Sequence, residues 1–315
     1  MKLLRELPLG TRVVVRYRIE GGFTDALGDL VARDSTTCTV DTRRGPVVVA
    51  FAAVTLAKPV PPPPVRRSRF EELVAEADAV PVDGWDFSWL DGRATEARPS
   101  WGYQRLLAER LAGVQSALDL ETGGGEVLDG CPTLPPLMVA TESWPPNIAR
   151  AASRLRPRGV SVVSTSDFPF ADNAFDLVSS RHPVTTPWPE IARVLRPGGT
   201  YFSQQVGPAS VFELVEFFLV PQPLSTRSSR DPSHAVAAAT AAGFEVVDLR
   251  SESLRTEFFD IGAVVYFLRK VIWMVPGFTV EQYLPKLREL HELIERDGPF
   301  IAHTTRLLIE AHLIE

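Results

Sequence analysis

Residues 58–68 read KPVPPPPVRRS, with five prolines among the six positions 59–64. Proline has no backbone N–H and a fixed φ, so neither a helix interior nor a central strand can run through such a stretch. It forms a stiff polyproline II spacer instead. The chain therefore divides into a small unit (residues 1–58), a linker (59–69) and a large unit (70–315).

In the small unit, TRVVVRYRIE, ALGDLVARD, CTVDTR and PVVVAFAAVTLA are short β-rich runs separated by GG and RRGP turn signals. Several such strands within about 60 residues predict a small all-β barrel. Its charge differs from that of the rest. Residues 1–70 carry 12 Lys/Arg and 6 Asp/Glu, a net of about +6, against about −12 for the remainder. Two readings follow: an anionic partner such as RNA, or a solvated arginine-rich surface. Alternation places Arg16 and Arg18 on one strand face, and Arg12, Arg43 and Arg44 complete the basic set.

In the large unit, RFEELVAEADAV has the spacing of an amphipathic helix, and an aromatic segment beginning WDFSWLDG leads into a second helix in YQRLLAERL. Apolar strands then fall at 117–120, 137–142, 160–163, 175–180, 200–206, 243–252 and 301–313, with helical stretches between most of them. This alternation predicts an α/β fold, a Rossmann-like, doubly wound, mainly parallel seven-stranded sheet. Two helical patterns near 253–299 form an insertion between the last two strands, placed to act as a lid. Its aromatics (Phe258, Phe259, Tyr266, Phe267, Trp273, Phe278 and Tyr283) either line an apolar pocket or, at helical spacing, fill a core.

Cys38 and Cys131 fit no zinc spacing and no disulfide framework, so no metal site and a reducing compartment are expected. The start MKLLRELPLG lacks the apolar run of a signal peptide. The most apolar late stretch, IGAVVYFLRKVIWMV, is too short to span a bilayer and carries Arg269 and Lys270. The expectation is a cytoplasmic protein without a membrane partner.

The loop after the first strand of the large unit, ALDLETGGGE, places Gly123, Gly124 and Gly125 where a doubly wound sheet binds its ligand. Glu121 stands in it where a glycine is usual. A dinucleotide would bring a pyrophosphate there, and a carboxylate about 4 Å away would cost on the order of 4 kcal/mol at an effective dielectric near 20. S-adenosylmethionine brings an ammonium and a sulfonium, which a carboxylate attracts. The G-x-G-x-x-G spacing also fails, because its last position is Leu128.

ALDLETGGGE, ATE, SDFPFADNAFDLVSSRH and IARVLRPGGTYFSQQVG, in that order, resemble the successive motifs of class I S-adenosylmethionine-dependent methyltransferases over residues 100–315. WDFSWLDG, PSWGY and FFDIGAVVYFLRKVIWMVPGF further resemble a bacterial subgroup of these enzymes. LPLGTRVVVRYR, TRRGPVVV and AKPVPPPPVRRS resemble the small Src-homology-like (SH3-like) barrel at the front of some actinobacterial GNAT-type acetyltransferases, whose catalytic domain is absent here. Glu121 departs from the family pattern D-x-G-x-G-x-G, and the expectation is a backbone there open to a residue with a Cβ.

The resemblance implies roles. Asp119 braces the loop, Gly123 and Gly125 allow close approach of the methionine part, and Glu142 accepts the ribose hydroxyls. Asp167 accepts the adenine amino group beside Phe168, unless it simply caps its turn. Trp101 and Tyr103 either cover the cofactor or pack the preceding helix. The pairing of Glu121 with the ammonium is inferred from charge alone. In the loop SSRHPVTTPW after the fourth strand, His182 is the candidate general base and Arg181 the group that orients an anionic part of the acceptor. The alternative for His182 is a purely structural hydrogen bond. One of Gln204 and Gln205 faces the ligand, and Asp260 and His303 are secondary pocket candidates. The Asn/Asp-Pro-Pro-Tyr/Phe signature of amino-directed enzymes is absent, and neither cysteine is placed for a paired-cysteine mechanism.

Three functions compete. The first is methylation of a small-molecule acceptor under the aromatic lid. The second is methylation of RNA or a ribosome-associated target docked by the basic barrel. The third is a non-catalytic, S-adenosylmethionine-binding regulator.

Overall fold

A computed structural model describes residues 2–19, 22–60, 70–83, 86–165 and 167–314. Most of the proline-rich spacer, residues 61–69, lies outside the described residues.

A short helix α1 (Lys2–Glu6) precedes β1 (Arg12–Ile19), β2 (Gly22–Arg33), β3 (Thr37–Thr42), β4 (Gly45–Ala50) and β5 (Val54–Pro59). They form an antiparallel sheet in the order β4-β3-β2-β1-β5. Alternation turns Val13, Val15, Leu30, Val40 and Val49 inward, with Leu4 and Phe51 closing the core. Register shifts at Arg16/Tyr17 and Leu30/Ala32 bend the sheet enough to wrap it. At Gly28 a Cβ would lie 1.9 Å from the Asp41 carbonyl oxygen, so only glycine admits β3 that closely.

The arginines of this unit are largely committed to contacts within the chain. Arg16 forks onto Asp25 at 2.9 and 3.0 Å, and Arg5 stands 4.4 Å over the Phe51 ring. Arg33 donates to the Leu4 carbonyl at 3.1 Å. Arg43, in the β3–β4 turn, pairs with Glu257 of the large unit and stands 5.9 Å over Phe259.

The large unit begins with α2 (Phe70–Ala79), β6 (Ala94–Glu96) and α3 (Tyr103–Leu111). Then come β7 (Ser116–Leu120), α4 (Glu126–Asp129), β8 (Leu137–Glu142), α5 (Pro145–Leu155), β9 (Ser161–Ser164) and β10 (Phe175–Arg181). The chain continues through α6 (Trp188–Val194), β11 (Leu195–Val206), α7 (Phe212–Phe218), α8 (Leu224–Arg227), α9 (Pro232–Ala241) and β12 (Phe244–Phe258). It ends with α10 (Ile261–Lys270), α11 (Val280–Asp297) and β13 (Phe300–Leu313).

The sheet order is β6-β12-β13-β11-β10-β7-β8-β9, parallel from β11 to β9, with β13 antiparallel between β11 and β12. Helices α3, α4 and α5 pack on one face through Leu107, Leu111, Leu128 and Leu155. The other face receives α6 and α9 through Ile191, Val194 and Ala239. This is the expected doubly wound, Rossmann-like sheet, with one strand added. The extra strand is β6, three residues paired to Thr256–Phe258 at the edge, too short to show a period.

One expected boundary shifts. β12 runs on to Phe258, so the inserted helices begin after it and not near residue 253. Their aromatics mostly enter a core: Phe258 and Tyr266 are buried with α2, α7 and α11, while Trp273 is 52% exposed. No helix among the described residues is long and apolar enough to cross a membrane. Cys38 and Cys131 are free and buried.

Substituting Gly28→Ala should weaken the barrel by about 1–3 kcal/mol. The readout is faster amide exchange across Thr37–Thr42 in the intact chain. Unchanged protection there would show that β3 can retreat without cost.

Candidate functional site

Parallel strands β7, β8, β10 and β11 all end at the same edge, and their carboxyl ends frame the site. β7 is buried throughout and carries a carboxylate, Asp119, at its penultimate position. Ser179 of β10 is its register partner and donates to Oδ1 at 2.6 Å. Burial still dominates and pushes the Asp119 carboxyl up to about 6, against the lowering by that hydrogen bond.

The loop that follows is built from backbone. Thr122 N–H donates to the Thr141 carbonyl at 2.9 Å, tying the loop to β8. Gly123 and Gly125 adopt φ of 65° and 81°. A Cβ on Gly125 would lie 2.8 Å from Leu155, so the bare glycine lets α5 pack beneath the loop. On Gly123 a Cβ would meet nothing within 4 Å, which leaves that turn open to a ligand. Arg154 of α5 donates to the Gly124 carbonyl and holds the loop from below.

Glu121 has φ +51°, in the left-handed region. This conformation is accessible to a residue with a Cβ, at a cost of roughly 1–2 kcal/mol. The Glu121 carboxylate turns toward β8, accepting from Ser143 Oγ at 2.8 Å and Ser143 N–H at 3.3 Å. There it neighbours Glu142, which is only 3% exposed and accepts from Gly123 N–H and Trp144 N–H at 2.8 Å each. Burial raises the Glu142 pKa, the charge of Glu121 raises it further, and the backbone donors oppose both. Asn147 adds a side-chain hydrogen bond to Glu142, which leaves one carboxylate lone pair for a hydroxyl donor.

Asp167 is exposed. Its backbone N–H donates to Thr165 Oγ1 at 2.9 Å, and its carboxylate has no hydrogen-bond partner among the described residues. Phe168 is half-buried against the core of the α6 face.

Trp101 and Tyr103 are 3% and 6% exposed and lie against the ends of β10 and β11. Tyr103 donates to the Ser180 carbonyl at 2.9 Å and stacks on Phe202 at 5.3 Å. Trp101 Nε1 donates to Gln204 Oε1 at 2.8 Å, and Gln204 Nε2 lies 3.0 Å from His182 Nε2. Indole N–H is a donor only, so the Gln204 oxygen must face it and the amide N–H₂ must face the histidine. His182 Nε2 is therefore an acceptor, and the ring proton sits on Nδ1. Burial, with help from Arg181 and Arg306, pulls the His182 pKa down to about 3. A neutral histidine with that lone pair engaged fits the structural hydrogen bond expected as the alternative to a general base, and it presents an Nδ1–H donor. Its φ of +56° is left-handed as well.

Gln205 donates to Thr186 Oγ1 at 3.3 Å, so Gln204 is the member of that pair on the Trp101 side. The secondary candidates are structural. Asp260 caps α10 by accepting from Ala263 N–H at 2.9 Å, and His303 Nδ1 lies 2.7 Å from Glu213 Oε1. Sequence reasoning missed the Trp101–Gln204–His182 chain and the Ser143–Glu121 bond. Strand alternation could have aimed Gln204, but nothing local ties positions 103 residues apart. Among the described residues no cluster of His, Cys, Asp and Glu is arranged to hold a metal.

In a histidine-detected NMR titration, His182 should remain the neutral Nδ1–H tautomer from pH 5 to 8, because its pKa lies near 3. Arg306→Gln removes one of the two cations that help burial hold that pKa down and should move the midpoint up toward the ordinary 6.5. A wild-type midpoint near 6.5 would refute the burial of the ring. For Asp119, native pKa exceeds the unfolded value, so wild-type stability relative to Asp119→Asn should fall as pH rises from about 4 to about 6 and stay flat above. Parallel denaturation of both proteins across that range checks the sign.

Residues 118–203 match a family model described as a methyltransferase domain, and residues 7–58 match the Rv0428c N-terminal Sm-like domain. No curated protein matches the chain. Among solved structures, the chain is similar to a candidate methyltransferase from Bacillus halodurans C-125, with TM-score 0.48 and 21% identity, covering 67% of this chain and 99% of that one. It is also similar to a functionally unknown protein from Deinococcus radiodurans R1 (TM-score 0.49, 12% identity, 79% and 100% covered). A third is a candidate sarcosine dimethylglycine methyltransferase from Galdieria sulphuraria (TM-score 0.42, 18% identity, 67% and 85% covered). The chain thus carries a match to an Sm-like domain over residues 7–58 and a match to a methyltransferase domain over residues 118–203.

Proposed function

We propose that this chain transfers a methyl group from S-adenosylmethionine to a small or medium-sized acceptor, with the barrel (1–58), the spacer (59–69) and the large domain (70–315) as its functional units. The observation that carries the reading is the convergence of two carboxylates, Glu121 and Glu142, on an open glycine loop inside the methyltransferase match. Their mutual repulsion is relieved by a cation and worsened by a pyrophosphate. The residues therefore suit a cationic cofactor: Gly123 leaves room, Glu142 keeps a lone pair for a ribose hydroxyl, and the Asp167 carboxylate is free to accept from the adenine amino group. Glu121 adds negative potential on the Ser143 side of the loop, where it serves the whole cation and not the ammonium alone.

When bound, the cofactor supplies a methyl group already activated by its sulfonium. The chain contributes alignment. His182 offers Nδ1–H to orient the acceptor, which suits a nucleophile that carries no proton at neutral pH. The helical layer of α7, α10 and α11 borders the acceptor side, since α7 follows the end of β11 and packs on α11. With most of its aromatics turned inward, this layer serves as a wall more than as an aromatic lid. The RNA-docking alternative is weakened by Arg16, Arg33 and Arg43, which are spent on contacts within the chain.

Calorimetric titration of the intact chain should show micromolar binding of S-adenosylmethionine and S-adenosylhomocysteine and none of NAD. Glu142→Gln should weaken the first two by about tenfold or more. Glu121→Gln should weaken S-adenosylmethionine more than the uncharged-sulfur product. Preference for NAD, or no binding of either adenosyl ligand, would sink the reading. Cofactor binding without product formation from any acceptor pool would favour the regulatory alternative.

A further inference from the structure

Three arginines gather where β10 and β11 end. Arg181 closes β10 and is in register with Gln204 of β11, which pairs in turn with Leu308 of β13. Two residues further along β11, Val206 pairs with Arg306. Leu177, Phe202 and Leu308 all pack into the core under α3, and alternation sends Arg181, Gln204 and Arg306 to that same face. Arg98 comes from the segment between β6 and α3 and acts electrostatically on Arg181.

The charges in this recess do not balance. Arg306 pairs with Glu96, which also accepts from Thr304 Oγ1 at 2.8 Å. Arg181 and Arg98 have no ion pair or hydrogen bond among the described residues. Arg181 is solvent-exposed, yet surrounding protein lowers its pKa, and Arg306 and Arg98 lower it further against Tyr103 and Glu96. Arg98 lies in the chain between Glu96, the partner of Arg306, and Trp101, which reaches Gln204, so it is brought to the same rim where Arg181 is exposed. Arg181 stands next to His182, on the acceptor side of the site.

We propose that Arg181 and Arg98, backed by Arg306, form an oxyanion site, and that the methyl acceptor is an anionic small molecule held there by its carboxylate or phosphate. The inference rests on the methyl-transfer reading for the word acceptor, and on the recess itself for the word anionic. Guanidinium forks match both oxyanions. The cofactor is a poor counterion for the recess, because its amino-acid end is a zwitterion and its sulfonium adds positive charge. An anionic acceptor neutralises the arginines and is attracted to the sulfonium at once.

The test is calorimetric titration of the intact, cofactor-free chain with inorganic phosphate and with benzoate, repeated on Arg181→Gln and Arg98→Gln. Saturable binding of one anion is expected, and which one it is separates a phosphate from a carboxylate acceptor. Each variant should lose about tenfold or more of that affinity. S-adenosylmethionine affinity, titrated separately, should change in neither. No saturable binding of either anion by the wild type, or binding that both variants retain, overturns the oxyanion site. Loss of cofactor affinity in both variants overturns it too, by assigning the arginines to the methionine carboxylate. Failure of the wild type to bind S-adenosylmethionine is a separate result: it removes the methyl-transfer reading, while the anion titration still reports on the recess.

Discussion

The site is organised by one buried carboxylate. Placing Asp119 at the end of a strand buried on both faces costs free energy that only nearby donors offset. The Ser179 hydroxyl on the adjacent strand donates to Asp119 at 2.6 Å, so the carboxylate and the β7–β10 register require each other. With that register set, the carboxyl ends of β7, β8 and β10 fall level. The loop can then fold back onto Thr141, and Glu142 can reach the Gly123 N–H. Slipping β10 by one residue would turn Ser179 to the opposite face and leave a charge stranded in the core. The specificity of the pairing thus comes from a polar group in an otherwise apolar strand.

Much of this was legible in the sequence because it is local. Short, largely apolar runs announce parallel strands, and three consecutive glycines after Asp119 announce the turn. The proline block announces the division of the chain. What escaped has a physical reason in each case. β6 is three residues long and exists only because β12 offers it an edge. β12 continues past Glu252 through alternating polar residues because β13 pairs with it throughout, and composition alone does not reveal a partner. The protonation of His182 depends on Trp101 and Gln204, which lie on other elements. Local sequence placed these residue types at the strand ends but could not say which of their atoms were already taken.

The barrel shows the same limit of charge counting. A surplus of arginine suggested an anionic partner, but several guanidinium groups are spent within the chain. One of them crosses to the large domain, where Glu257 also accepts from Arg255 at 2.9 Å. A buried carboxylate with two guanidinium partners is a more specific anchor than a surface pair, because losing one partner leaves desolvated charge behind. Net charge describes a module's field only after its internal pairs are removed.

Among the described residues five non-glycines have positive φ, and four of them, Glu121, His182, Ala209 and Val211, follow the carboxyl ends of β7, β10 and β11. Each forgoes roughly 1–2 kcal/mol of backbone preference. The sheet is therefore mechanically polar, with a relaxed rim where its strands begin and a strained rim where they end. Partial unfolding would start at the strained rim and release that energy first, while the strand origins carry the global stability. A homologue under selection for heat resistance alone would be expected to turn these four positions into glycine or asparagine. With Glu, His, Ala and Val there instead, this chain gives up stability along the edge where the candidate site lies.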